Sequence, residues 1–255
     1  MLLPQVIYED LNHISYQTAW DYQFSLLKKV IDHKIALKDS DLLETDTPSV
    51  SKENFKKKLI KTQQNYLLFC EHNPVYTLGK SGLMAHLLLD EAALKARNIE
   101  FFKINRGGDI TYHGDGQITG YPIFDLDCFF TDVHKYVRSL EEVIIRTIAE
   151  YGLEGTRIEG FTGVWLPPKS DSDDVKYRKI CAIGVHLSRW VTMHGFAFNV
   201  NTDLKYYDYI VPCGIEDDAK TVTSLARELG RKVDMTRVKE QLKHHFQDIF
   251  SFTFQ

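Results

Sequence analysis

Between residues 16 and 37 apolar side chains return every three or four positions. Trp20, Phe24, Leu27, Val30 and Ile31 mark one face, which predicts an amphipathic helix. Val133, Val137, Leu140, Val143, Ile144 and Ile148 form a second stripe and predict a helix over 131–151. Shorter helices are expected at 89–97, near 219–229 and near 234–249. Elsewhere the apolar runs are strand-length: 65–70 (NYLLFC, ended by Asn73-Pro74), 75–79, 99–106, 110–113 and 121–126. Further strands are expected at 162–166, 179–187 and 194–201, with Gly114, Gly116 and Gly120 interrupting the pattern before 121. The polar segment 39–53, which contains Pro48, reads as a loop or flexible insertion. The turn-rich spacer 166–177 reads as a long hairpin loop. Two long helices against a mixed, mostly antiparallel sheet make this an α+β chain, taken as one domain over 1–255 with insertions at 39–53 and 167–177.

Composition is that of an ordinary globular protein, with 44% hydrophobic and 26% charged residues. The net charge of -4 and the lack of a basic block give no sign of nucleic-acid binding. No apolar run approaches the roughly 18 residues that span a bilayer, and the first residues lack signal or transit character, so a cytoplasmic location is expected. Docking of an acidic partner would then need a local basic patch, such as Lys56–Lys58 with Lys61, or Arg178–Lys179.

There are four cysteines, none in a CxxC pair. Cys70, Cys128 and Cys181 sit in apolar surroundings and read as buried and inert. Cys213 differs. In IVPCGI, Pro212 fixes the backbone before it and Gly214 removes bulk after it, a setting that suits a nucleophile as well as an ordinary turn cysteine. A thiol needs a partner to ionise at neutral pH. Lys179 is one candidate, since strand alternation would place it with Cys181, Ile183, Val185 and Leu187 on an apolar face, where an amine exchanges its proton more readily. The alternative is a lysine at a strand end with its head in water.

The densest unusual stretch is RGGDITYHGDGQ at 106–117. Its spacing fits neither a P-loop nor a dinucleotide fingerprint. Gly107 and Gly108 would let a ligand approach the main chain, Arg106 could meet a phosphate or carbonyl oxygen, and His113 could be a hydrogen-bonding site residue. A metal held by His113 and Asp115 with His72, His186 or His194 is the rival use, but no HExxH or Cys-pair spacing supports it.

Six stretches in this order are similar to the lipoyl(octanoyl) transferase family: 72–82, 106–126, 160–166, 178–204, 210–215 and 222–225. The resemblance spans about residues 8–250, and the 34-residue interval from Lys179 to Cys213 matches the family's dyad. It implies a fold like the catalytic domain of biotin and lipoate protein ligases. It also implies transfer of octanoyl from acyl carrier protein to a lysine of lipoyl domains, those of 2-oxoacid dehydrogenases or the glycine-cleavage H protein, with neither cofactor nor metal. By this likeness Cys213 carries the acyl thioester and Lys179 lowers its pKa. Arg106, Gly107, Gly108, Asp109, Ile110, Thr111, Tyr112 and His113 would line the acyl and substrate pocket, with Ala182, Ile183, Gly184, Gly195, Phe196 and Ala197. Asp115 stands where the family usually has proline. An ATP-dependent lipoate ligase, an acyl thioesterase and a non-enzymatic binding module are the competing readings.

Overall fold

A computed structural model describes residues 2–42, 48–168, 176–211 and 219–255. Twelve strands and six α-helices are assigned within them, with three short 3-10 turns. The main sheet contains β1 (Gln5–His13), β2 (Gln64–Glu71), β6 (Gln117–Ile123), β7 (Thr156–Ile158), β8 (Phe161–Leu166), β9 (Tyr177–Ser188), β10 (Val191–Asn199) and β12 (Thr253–Phe254). Their order is β12-β1-β2-β6-β10-β9-β8-β7, and β11 (Lys220–Val222) adds to β9. Pairings from β2 through to β7 are antiparallel, while β12-β1, β1-β2 and β11-β9 are parallel. A small sheet, β4 (Glu100–Lys103), β3 (Val75–Leu78) and β5 (Ile110–His113), sits beside it. The mixed, mostly antiparallel α+β architecture is therefore present.

The two long stripes bury what their spacing predicts. α4 (Val133–Ala149) sinks Leu140, Val143, Ile144 and Ile148 into the main core and packs on α6 (Met235–Phe250). α1 (Tyr16–Leu42) places Ala19, Leu27 and Val30 against Leu68, Tyr121 and Met193 on the sheet's other face. Phe24, counted in the predicted stripe, is instead exposed. Asp132 and Asp234 cap α4 and α6 by accepting first-turn amide hydrogens.

Three elements depart from the expected pattern. The segment 39–53 is not a loop where it is described: α1 runs to Leu42, α2 (Pro48–Thr62) starts at the proline, and 43–47 lie outside the described residues. Proline belongs in a first helical turn, where its missing N–H is not needed. Likewise 169–175, most of the other expected insertion, lie outside the described residues. The helix expected at 219–229 divides: Lys220, Thr221 and Val222 pair with Tyr177–Lys179 as a strand, and Ser224 caps a shorter α5 (Leu225–Leu229). Successive β-branched residues fit the pleat better than a helix. Finally, Gly120 does not interrupt β6. It pairs with Phe196 inside the sheet, where a Cβ would meet the Phe196 ring at 2.2 Å.

Candidate active site

The loop between β4 and β5 crosses the main sheet over β9 and β10. Gly184 and Gly195 are register partners there. A Cβ on Gly184 would come 2.7 Å from the Gly107 carbonyl oxygen, and one on Gly195 would come 2.2 Å from that of Gly120. Bare backbone at Gly184 lets the loop lie close to β9, bare backbone at Gly195 lets β10 close on Gly120 and Pro122 of β6, and the Gly107 amide donates to the Val185 carbonyl at 2.9 Å. Beside this crossing opens a cavity of about 340 Å³.

Arg106 is fixed at its wall. The guanidinium donates to the Thr77 carbonyl at 2.6 Å, to the Thr77 hydroxyl at 3.0 Å and to the Gly107 carbonyl at 3.0 Å. The Thr77 hydroxyl in turn faces Nε2 of His113 at 3.3 Å, and His113 Nδ1 donates to Gln117 at 3.0 Å. The Gln117 amide donates to the Tyr112 carbonyl and to Asn199, whose own amide reaches the Thr223 carbonyl. One chain of hydrogen bonds thus ties the small sheet to the strands around 199 and 223.

His113 and His194 sit near Arg106, His72 packs against His113 at 5.9 Å, and burial disfavours the charged form of all three. His72 donates from Nδ1 to the Ile14 carbonyl at 2.8 Å and meets the Tyr121 hydroxyl at 2.7 Å; burial lowers its pKa to about 4. Burial and then the Arg106 charge bring His194 down to about 3. Burial, with His72 and Arg106 adding to it, puts His113 well below the ordinary histidine range. The guanidinium is therefore this corner's fixed positive charge.

Lys179 lies in the cavity wall and is 8% exposed. Its Nζ stands 4.5 Å from the centroid of the Trp165 ring. The predicted strict alternation down to Cys181 does not hold, because the β8–β9 register shifts between Val164↔Cys181 and Trp165↔Lys179. One extra residue, Ile180, enters on β9, so both Ile180 and Cys181 join the main core while Lys179 goes with Trp165.

Of the residues expected at the pocket, Arg106, Gly107, Gly108, Asp109, Ile110, Thr111 and His113 line the cavity. Ala182, Ile183, Gly184, Gly195, Phe196 and Ala197 line it as well. Tyr112 does not. It points to the opposite face of β5 and stacks on Tyr206 at 4.7 Å in the core of the small sheet. Asp109 also meets Nδ1 of His86 in a close hydrogen bond and accepts the Ile110 amide at 2.7 Å. Cys213 lies outside the described residues. The other three cysteines are buried, and burial raises each thiol pKa. Sequence reasoning missed Tyr16, Tyr121, Asn199, Tyr207 and Phe161 on the wall. They come from five different elements or turns, and no local spacing joins them.

The rival metal set is not assembled. Asp115 turns outward to His13 at 2.8 Å, and among the described residues no group of three His, Cys, Asp or Glu side chains could hold an ion. The basic patches fare differently from each other. Arg178 is buried and paired with Glu228 at 2.9 Å, while Lys56, Lys57 and Lys61 lie on α2, which adds no residue to the cavity wall. No helix among the described residues is long and apolar enough to cross a membrane.

A family model described as the lipoyl protein ligase A/B catalytic domain matches residues 49–247. The chain belongs to this family. An octanoyltransferase of Cytophaga hutchinsonii is 52% identical over 245 residues, covering 96% of this chain and 92% of that protein. One from Christiangramia forsetii is 53% identical over 236 residues, covering 92% and 91%. Among solved structures, a bipartite lipoate protein ligase from Thermoplasma acidophilum overlays with a TM-score of 0.64 at 15% identity, covering 100% of this chain and 86% of that one. Lipoate-protein ligase A bound with ATP gives 0.61 at 14%, covering 99% and 87%. At such identities the two overlays speak to fold, and the expected lipoate-ligase fold is the one found.

Proposed function

We propose that the chain is an octanoyltransferase acting in protein lipoylation through a thioester on Cys213. The observation that carries this reading is a buried lysine, Lys179, in the wall of a cavity that glycines open to the backbone, in a chain about half identical to octanoyltransferases over nearly its whole length. The donor is octanoyl on acyl carrier protein. The acceptors are lysines of lipoyl domains in 2-oxoacid dehydrogenases and of the glycine-cleavage H protein. The setting is the cytoplasm, and residues 1–255 act as one catalytic domain.

In the first half-reaction Lys179 Nζ takes the proton from Cys213 Sγ. The thiolate attacks the octanoyl carbonyl, the carbon–sulfur bond to the carrier breaks, and the carrier sulfur receives the proton back from Lys179. In the second, the acceptor lysine enters as a neutral amine and attacks the enzyme thioester. The Cys213 sulfur leaves, and Lys179 takes the amine proton and returns it to that sulfur. Thioester exchange is near thermoneutral and amide formation is downhill, so ATP is not consumed. Apolar side chains such as Val137, Ile183 and Phe196 supply wall for the acyl tail. Each methylene buried there stabilises the complex by about 0.8 kcal/mol.

The test is transfer from an octanoyl carrier to a lipoyl domain, with and without ATP. ATP-independent transfer that Cys213→Ser abolishes, and that Lys179→Arg slows about 100-fold or more, is the expected result. Strict dependence on ATP, or a fully active Cys213→Ser, would replace this reading with that of a ligase. Free octanoate in place of acylated acceptor would make the chain a thioesterase.

A further inference from the structure

The β8 strand presents three features to Lys179 that the dyad alone does not explain. Trp165 is fully buried, yet its ring face is turned to an ammonium-bearing side chain at 4.5 Å. The indole is held in place, its Nε1 donating to the Phe161 carbonyl at 3.1 Å and its ring meeting Phe161 edge-to-face at 6.4 Å. Next to it, Gly163 adopts φ +124°, a conformation that L side chains rarely adopt, with its amide donating to Glu141 at 3.1 Å. Glu141 is fully buried on α4 and held by Arg138 at 2.7 Å and Arg157 at 3.0 Å. A Cβ on Gly163 would sit 2.5 Å from the Cys181 carbonyl oxygen and 3.6 Å from Cε of Lys179. The register shift that separates Lys179 from Cys181 lies immediately beyond this glycine.

We infer that Trp165 is a positioning residue for Lys179, its ring face holding the amine in the cavity wall and favouring the protonated form, with Glu141 and Gly163 locking the bulge that sets the pair face to face. The inference rests on the proposed role of Lys179 and adds what makes that amine a good proton acceptor from a thiol. An aromatic face attracts a cation and does nothing comparable for a neutral amine. The ammonium–thiolate pair is thereby favoured over amine and thiol.

Other charges face the same amine. On β9, Arg178 is paired with Glu228 of α5, and Cys181 is kept neutral by burial. On β11, Lys220 stands 4.4 Å over the Phe161 ring. Glu141 of α4, with Arg138 and with Arg157 of β7, lies behind Gly163. Across the cavity are Arg106, neutral His113 and Tyr207, whose hydroxyl pKa burial pushes up to about 12. Glu216, Asp217 and Asp218 lie outside the described residues.

The test reads the amine itself, apart from catalysis. Lys179 in the intact chain is titrated by pH-dependent competitive acetylation, followed by peptide mass spectrometry, with tryptophan at 165 replaced by mono-, di- and tetrafluorotryptophan. Fluorine drains the ring face of negative charge with a modest gain in size, and urea unfolding of each variant checks that the buried ring is still accommodated. The midpoint of Lys179 should fall stepwise with fluorination, by about half a unit to one and a half units over the series. The midpoint of Lys28, on α1, should stay fixed. Transfer should lose rate in the same order, through kcat more than KM. A Lys179 midpoint that ignores fluorination overturns the inference and leaves the transferase reading standing. That reading fails separately, on transfer by Cys213→Ser.

Discussion

Three buried histidines make this protein sensitive to acid in a defined window. Unfolded, His72 and His194 bind a proton below about pH 6.5; folded, they resist it down to about 4 and about 3. His113 behaves in the same direction. Between those limits the unfolded chain holds more protons, so stability rises with pH through the window, is complete above about 6.5, and is lost as pH falls toward 4. Urea unfolding from pH 7.5 to 4.5 should show that decline, and His194→Gln should make it shallower. A stability flat with pH over that range would contradict the neutral histidine cluster. Gly184 is the second residue-level prediction. Alanine there drives a methyl against the Gly107 carbonyl, which cannot move without displacing Arg106. Gly184→Ala should cost about 1–3 kcal/mol in denaturant unfolding and slow transfer more than it weakens the fold. The sequence showed the glycines of 106–116 and Lys179 as unusual through their local company. It could not show Tyr121 or Tyr207, because a tyrosine on a cavity wall looks like any core tyrosine until the strands are laid side by side. Tyr112 misled for the converse reason. It sits inside the motif, but period-two alternation on β5 sends it to the other face from Thr111 and His113.

At the level of elements, the periodic helices and the apolar strands were legible because burial acts on one face at a fixed period. β1, with the exposed Asp10, Asn12 and His13, and the short edge strands β7 and β12 had too few apolar positions to declare themselves. The bulge on β9 was invisible for a different reason. Alternation along one strand carries no trace of the register held by its neighbour, and here Gly163 on β8 and Glu141 on α4 decide it. The consequence can be checked. Replacing Glu141 by leucine leaves the Gly163 amide buried without its acceptor, while half-exposed Arg138 and Arg157 can turn to water. Glu141→Leu should cost about 1–3 kcal/mol in denaturant unfolding. It should also slow transfer beyond what lost stability explains, since Lys179 would shift with the strand. Loss of stability with full transfer per folded molecule would limit Glu141 to a structural role.

Over the whole molecule, the main sheet carries the core and the small sheet carries the Arg106 loop, and the cavity lies where the two meet. That juncture brings residues from 16 to 222 into one wall, although most of it falls in three short runs, 106–113 without Tyr112, 182–185 and 194–197. Contiguity explains why so much of the wall could be read from order and spacing, and why the docking surface could not: neither basic cluster weighed in the sequence stands exposed beside the cavity. The central claim is that Cys213 carries the acyl group between two proteins. It is tested most directly by intact and peptide mass spectrometry of the enzyme mixed with octanoyl carrier protein. The account predicts one octanoyl group on Cys213, formed without ATP and discharged when a lipoyl domain is added. An enzyme that transfers octanoyl while Cys213 is never acylated would contradict it.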